Sequence, residues 1–189
     1  LDETMTGFGR IGAMCACKEA EIVPDIITLS KALTGGTLPL AATVARGRVF
    51  ESFLSDDPSK ALMHGPTYMG NALACAAANA SLDLFEREPR LQQVRAIEAQ
   101  LRAELEACRH LNGVVDVRVR GALGVVQLSK AGEGPWFRPR FLADGVWIRP
   151  FGDIVYIAPP FVITSEDLSR LTQAIVRHVS AWSQQRAAA

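Results

Sequence analysis

An excess of charge of either sign is missing from this sequence: twenty basic residues meet twenty acidic ones over 189 residues, for a formal net charge of zero. That balance lacks the electrostatic footprint of a nucleic-acid binder or of a protein held to an anionic membrane surface. Long hydrophobic runs are missing too. The richest apolar stretch, residues 69–85, is broken by Asn71, Asn79, Ser81 and Asp83, which suits a packed helix and not a membrane span. The four cysteines (Cys15, Cys17, Cys75, Cys108) show no paired metal-ligand spacing. Cys15-x-Cys17 is too tight for an ordinary disulfide or a zinc knuckle, so buried thiols are the plainer expectation and no metal is expected. No segment reads as a secretory signal, which sets the expectation of a cytoplasmic protein.

The chain opens Leu1-Asp2, with no strand ahead of Asp2. A functional carboxylate needs rigid support on both sides. The expectation is therefore the C-terminal part of a longer protein.

What is present is enough to fold. With 49% hydrophobic residues the chain can bury a core, as one large domain or as parts of two. Residues 1–87 read as alternating strands and helices of an α/β domain. Residues 25–30 and 40–45 form short strands, the first of them buried, residues 48–54 a brief helix, residues 55–60 a polar loop and residues 71–88 a long alanine-rich helix. Pro89 suits the first turn of the next helix, and from there residues 88–189 read as a small α+β domain. Leu91, Val94, Ile97, Leu101, Leu105 and Cys108 recur at helical spacing. Strands are expected at residues 114–119, 124–128, 146–149 and 154–157. A last helix begins at the Thr164-x-x-Asp167 cap, with Leu168, Leu171, Ile175, Val179 and Trp182 on one face and a frayed tail over residues 184–189. Residues 132–139 receive no role, and His64, His110 and His178 are not assigned to chemistry, the last two being expected on the surface at helix ends.

Lys31 is the most informative residue. In Asp25-Ile-Ile-Thr-Leu-Ser-Lys31-Ala-Leu-Thr-Gly-Gly36 an apolar run delivers a lysine to a small-residue turn. A lysine held at the end of a buried strand and aimed into a pocket loses its proton more easily than a free one, and can then form an imine. Asp2 lies 29 residues earlier. A carboxylate and an imine-forming lysine on neighbouring strand ends are the two main handles a protein has on pyridoxal phosphate, for the ring nitrogen and the aldehyde carbon respectively. Either residue alone has a blander use, as a solvated helix start or a surface acid.

Together with Asp2-Glu-Thr-Met-Thr-Gly-Phe-Gly-Arg10 and Pro24-Asp25-Ile, the Ser30-Lys31-Ala-Leu-Thr-Gly-Gly36 stretch resembles the class III, fold-type I aminotransferases. The resemblance runs over essentially the whole chain. It implies pyridoxal 5'-phosphate as cofactor, a partial large α/β domain followed by a small α+β domain, and a homodimer in the complete protein. His64-Gly-Pro-Thr67-Tyr-Met-Gly-Asn71 and Gly145-Val-Trp-Ile-Arg149-Pro-Phe-Gly152, with Tyr156 and Pro159-Pro160, are similar to the branch of the family that serves biotin synthesis. That likeness implies a ping-pong transfer of the amino group of S-adenosylmethionine to 8-amino-7-oxononanoate, giving 7,8-diaminononanoate.

By the same resemblance Lys31 is the catalytic and cofactor-bearing residue, and Asp2 pairs with the ring nitrogen. Pro66 and Thr67 meet the cofactor phosphate of the neighbouring subunit at a helix N-terminus. Gly65 lies where substrate approaches the backbone. Arg149, desolvated by Trp147 and Phe151, anchors the substrate carboxylate, with Tyr156 beside it. Glu3 stands as a support for Asp2 or as a plain salt-bridge partner. Ala72, where the family often has proline, is a mild departure. The alternatives are another class III transaminase, acting on 4-aminobutyrate, ornithine or an ω-amino acid with pyruvate, or an inactive remnant. The family's phosphate-cradling loop and ring-stacking aromatic precede Asp2, so this chain alone is expected to bind the cofactor weakly and to show no turnover.

Overall fold

The computed structural model describes residues 1–187 and resolves two compact units, residues 1–91 and 92–189. The first unit holds α1 (Ala16–Glu19), β1 (Ile26–Leu29), β2 (Ala42–Ala45), α2 (Gly47–Glu51) and α3 (Ala72–Arg87). Strands β1 and β2 pair antiparallel, with Thr28 opposite Thr43. A parallel bridge joins Asp2 to Thr28 on the other side of β1. Between the strands the chain makes a single 3-10 turn, Lys31–Thr34, closed by Gly35 at φ +61, a conformation that glycine adopts without steric cost.

The core of this unit is small: Phe8, Leu33 and Ala78, with Met14, Leu29, Leu40 and Phe85 against them. Helix α3 presents Ala74, Ala78 and Ser81 inward, a narrow face of small residues that lets the helix lie close to the turn. The Ser81 hydroxyl donates to the Ala32 carbonyl at 3.2 Å. Asn71 caps α3 by accepting from the Ala74 amide at 3.1 Å, as a short polar side chain at that position should.

The second unit contains all but the first two residues of α4 (Arg90–Leu105), then β3 (Val114–Arg120), β4 (Leu123–Leu128), α5 (Gly134–Ala143), β5 (Ile154–Ile157) and α6 (Ser165–Ala187). The strands form an antiparallel meander in the order β3-β4-β5. Alternation along β4 buries Gly124, Val126 and Leu128. Val126 faces Val117 on one side and Val155 on the other, which is how a period-2 pattern seals one face of a sheet. The apolar stripe of α4 closes on this face. Leu101 and Leu105 are fully buried, and a Cβ on Gly124 would stand 2.8 Å from Leu105 Cδ1. Glycine is what permits that approach.

Helix α6 starts where the sequence places it. The Thr164 hydroxyl accepts from the Asp167 amide at 3.1 Å and donates to the Asp167 carboxylate at 3.0 Å. Helices α4 and α6 are pinned by the Glu104 carboxylate, which accepts from Ser169 at 2.6 Å, from Gln100 at 2.9 Å and from Thr172. Burial pushes the Glu104 carboxyl up, and these hydrogen bonds outweigh it and hold it below its ordinary value.

Several expectations are corrected. Strand β1 is half-buried, not buried, because a two-stranded ladder gives it cover on few sides. Residues 146–149 join no ladder. They keep strand-like alternation, with Val146 and Ile148 buried and Trp147 79% exposed, but their backbone pairs with no described strand. The unassigned segment 132–139 enters α5, with Pro135 in the first helical turn where its missing N–H costs nothing. Its rings pack: Phe137 stacks on Phe141 at 5.7 Å and meets Trp182 at 6.2 Å. Pro139 sits inside the helix, and this breaker is what hid α5.

His178 is no surface residue at a helix end. It lies inside α6, its ring nitrogen 2.8 Å from Asp144 and its ring edge-on to Phe141. Cys75 is exposed in this chain, Cys15 and Cys17 are half-buried, and only Cys108 is fully buried. The expected frayed tail is helical through Ala187, and its last two positions, 188 and 189, lie outside the described residues.

Candidate active site

Lys31 has φ +48, a left-handed conformation that costs a non-glycine residue about 1–2 kcal/mol. Such a conformation persists only where the neighbours over-determine it, and here they do. Ahead of it, the Ser30 hydroxyl donates to the Leu40 carbonyl at 2.7 Å, and Leu33 N–H donates to the Ser30 carbonyl at 3.0 Å. Behind it, Ala32 accepts from Ser81 and from the Gly35 amide, while Leu33 and Thr34 are buried. The backbone on both sides is fixed, and within residues 30–34 Lys31 alone is exposed. The structure thus corrects the expectation of a desolvated amine: Lys31 is exposed in this chain and opens a turn instead of ending a strand. Among the described residues its amine makes no hydrogen bond or ion pair.

Asp2 stands three residues from Lys31 by way of β1. Thr28 N–H donates to the Leu1 carbonyl and Glu3 N–H to the Thr28 carbonyl, both at 2.9 Å. Asp2 Oδ1 accepts from the Thr4 amide at 2.8 Å and from the Thr28 hydroxyl at 3.2 Å. The Thr4 hydrogen bonds first, then Thr28 and the nearby Lys31 charge, hold the carboxyl below its ordinary range. Asp2 is exposed and ionised at neutral pH, as a partner for a pyridinium must be. The Thr28 contribution is legible only in three dimensions.

Glu3 is the buried acid of the pair, 2% exposed. Its carboxylate accepts from the Cys17 amide at 2.7 Å and from the Thr6 hydroxyl. Burial pushes this carboxyl up, and the hydrogen bonds of Thr6, Cys17 and the Ala16 amide outweigh it. Among the described residues Glu3 makes no salt bridge. It ties the 6–17 loop down beside Asp2.

Gly65, Pro66 and Thr67 lie on an exposed stretch of the same unit. Met69 N–H donates to the Pro66 carbonyl at 2.9 Å, making a turn. The Thr67 hydroxyl has no partner among the described residues, and the cap of α3 belongs to Asn71, so Thr67 precedes that helix and does not open it.

In the second unit Arg149 and Tyr156 come together. They line a cleft of about 390 Å³ with Trp147, Pro159, Pro160 and Leu171. Trp147 and Phe151 are 79% and 73% exposed, so in this chain they leave Arg149 in solvent, contrary to the expectation that they desolvate it. The physical reason is the alternation of residues 146–151, which buries Val146, Ile148 and Pro150 and turns Trp147, Arg149 and Phe151 outward. No cluster of three or more potential metal ligands occurs among the described residues, nor does any helix long and apolar enough to cross a membrane.

Comparison with known proteins supplies the family. Residues 1–179 match the aminotransferase class-III profile. The chain is 43% identical over 175 residues to the adenosylmethionine-8-amino-7-oxononanoate aminotransferase of Corynebacterium glutamicum, covering 93% of this chain and 41% of that protein. It is 45% identical over 175 residues to the protein of the same name from Buchnera aphidicola subsp. Schizaphis graminum, covering 93% and 40%. Among solved structures, an enzyme of that name from Methanocaldococcus jannaschii superposes with a TM-score of 0.86 at 35% identity, over 95% of this chain and 44% of that one. An (S)-enantioselective omega-transaminase from Thermomicrobium roseum superposes with a TM-score of 0.87 at 29% identity, over 96% and 42%. The chain thus spans about two fifths of the curated relatives it matches. It belongs to the class III aminotransferase family, whose cofactor is pyridoxal 5'-phosphate.

Proposed function

We propose that this chain is the C-terminal part of the transaminase that carries the amino group of S-adenosylmethionine to 8-amino-7-oxononanoate in biotin synthesis. Residues 1–87 then belong to the large cofactor-binding domain and residues 88–189 form the small domain. The observation that carries the reading is the left-handed Lys31 on a fixed turn, three residues after the strand position that holds Asp2. The relatives' shared name supports the choice of donor and acceptor. A homodimer in the cytoplasm fits the same reading.

The residues present fit pyridoxal 5'-phosphate. Asp2 is ionised and exposed, and the Lys31 amine, on a fixed backbone, makes no hydrogen bond or ion pair among the described residues. When bound, the cofactor supplies an electron sink and a carrier for the amino group. Asp2 would hold the ring nitrogen protonated. Lys31 would anchor the aldehyde end and, through Nζ, take a proton from the donor's α-carbon and return one to the acceptor's reacting carbon. Thr67, presented by Pro66, would meet the phosphate in the partner subunit with its hydroxyl and backbone N–H, and Gly65 would admit the substrate close to the main chain. Arg149 would anchor the acceptor's carboxylate with its planar fork, beside Tyr156.

The complete protein tests this by absorbance. Adding S-adenosylmethionine alone should bleach the long-wavelength band of the bound cofactor, and Lys31→Ala should remove both that band and turnover. A band that ignores S-adenosylmethionine and bleaches with 4-aminobutyrate or ornithine would move the function to another class III transaminase.

A further inference from the structure

Arg149 lines a second cavity besides its cleft with Tyr156. This one, of about 330 Å³, is formed by Arg138, Leu142, Trp147, Ile148 and Arg149. Arg138 and Leu142 come from α5, four residues apart and so on one face of that helix. Most cations nearby are spoken for: Arg140 lies over the Trp136 ring at 3.8 Å, Arg177 pairs with Asp144 at 2.7 Å and Arg186 approaches Glu133 at 3.7 Å. Arg138 and Arg149 are not. Neither guanidinium makes a hydrogen bond or ion pair among the described residues, and no acidic side chain lines the cavity.

Two unpaired guanidinium groups on one cavity repel each other until an anion enters, and a carboxylate has lone pairs enough to accept from both. The rest of the wall selects the anion. Leu142 and Trp147 are 56% and 79% exposed, an apolar surface with use for methylene groups and none for a compact phosphate or dicarboxylate. We propose that Arg138 is a second binding residue for the carboxylate end of the acceptor, sharing this cavity with Arg149. It sets the preference for oxo acids whose carboxylate is a long alkyl chain away from the reacting carbon. The proposal rests on the reading of Arg149 as the acceptor's carboxylate anchor.

The test uses the complete enzyme, with nonanoate as a nine-carbon monocarboxylate probe measured by calorimetry. In parallel, KM is measured for 8-amino-7-oxononanoate and for the amino donor. Arg138→Ala should weaken nonanoate binding and raise the acceptor's KM about three- to tenfold, the scale of one charge-assisted contact partly open to water. The donor's KM should change far less, and Arg138→Lys should recover part of the loss. A five-carbon monocarboxylate, which offers Leu142 and Trp147 fewer methylene groups, should bind the parent more weakly than nonanoate does, and equal binding would overturn the chain-length preference. If Arg149→Ala weakens nonanoate and Arg138→Ala does not, the role of Arg138 is overturned and the anchor stands. If neither variant changes nonanoate binding, the anchor itself is wrong. Equal rises in both KM values for Arg138→Ala would mark a structural effect and also overturn the proposal.

Discussion

Thr28 and Asp2 face each other across a parallel bridge, and the Thr28 hydroxyl donates to Asp2 Oδ1 at 3.2 Å. Three residues further along the chain lies Lys31, on the turn that follows β1, so one short stretch sets both proposed cofactor handles. Thr28→Val keeps the shape and removes the donor. In the complete protein it should loosen the cofactor by roughly threefold, as loss of one exposed hydrogen bond to a charged group implies, measured by titrating the apoenzyme. The sign in pH follows from Asp2. Its carboxyl is lowered on folding, so its contribution holds above the ordinary carboxylate value and is lost as pH falls through the folded one. The variant should lose cofactor at a higher pH than the parent. Identical acid-release curves would remove Thr28 from the site.

Glu104 joins α4 to α6 through Gln100, Ser169 and Thr172. Glu104→Ala leaves the Thr172 hydroxyl, fully buried, without its carboxylate partner and should cost about 1–3 kcal/mol, read as a lowered denaturation midpoint of the complete protein. Because the folded carboxyl is lowered, the parent's advantage is present above the unfolded value and disappears as pH falls through the folded one. A difference between parent and variant that grew on acidification would contradict the assigned sign.

Cys108 is fully buried, and burial pushes its thiol up to about 11. At pH 8 only about one molecule in a thousand carries the thiolate there. Native protein treated with iodoacetamide should leave Cys108 unmodified, by peptide mass, until denaturant is added. Rapid labelling at pH 8 would show that the α4 end of the second unit opens far more readily than its packing implies.

Gly113 has φ +84, and a Cβ there would stand 2.9 Å from the Trp182 ring. Gly113→Ala combines backbone strain with displacement of a buried ring and should destabilise by about 1–3 kcal/mol. A midpoint equal to the parent's would mean that Trp182 has room to move.

Much of the fold was legible along the chain. The α4 stripe from Val94 to Cys108 and the Thr164 cap of α6 are local patterns, and the structure keeps them because period and capping chemistry act within a few residues. Helix α5 was hidden by Pro139, a breaker that the Phe137–Phe141–Trp182 stack overrides. The strand expected at residues 146–149 has the right alternation, yet pairing depends on a partner the alternation cannot reveal.

By itself the sequence determined the family and the candidate chemistry, since Asp2, Lys31 and Arg149 sit in motifs whose spacing is local. Only the tertiary structure decided that Lys31 holds a left-handed backbone, that Thr28 supports Asp2, that Glu3 is a buried tie and that Arg138 shares a cavity with Arg149. Each of those depends on residues brought together by packing, and a linear pattern records which side chains exist but not which of them end up facing the same space.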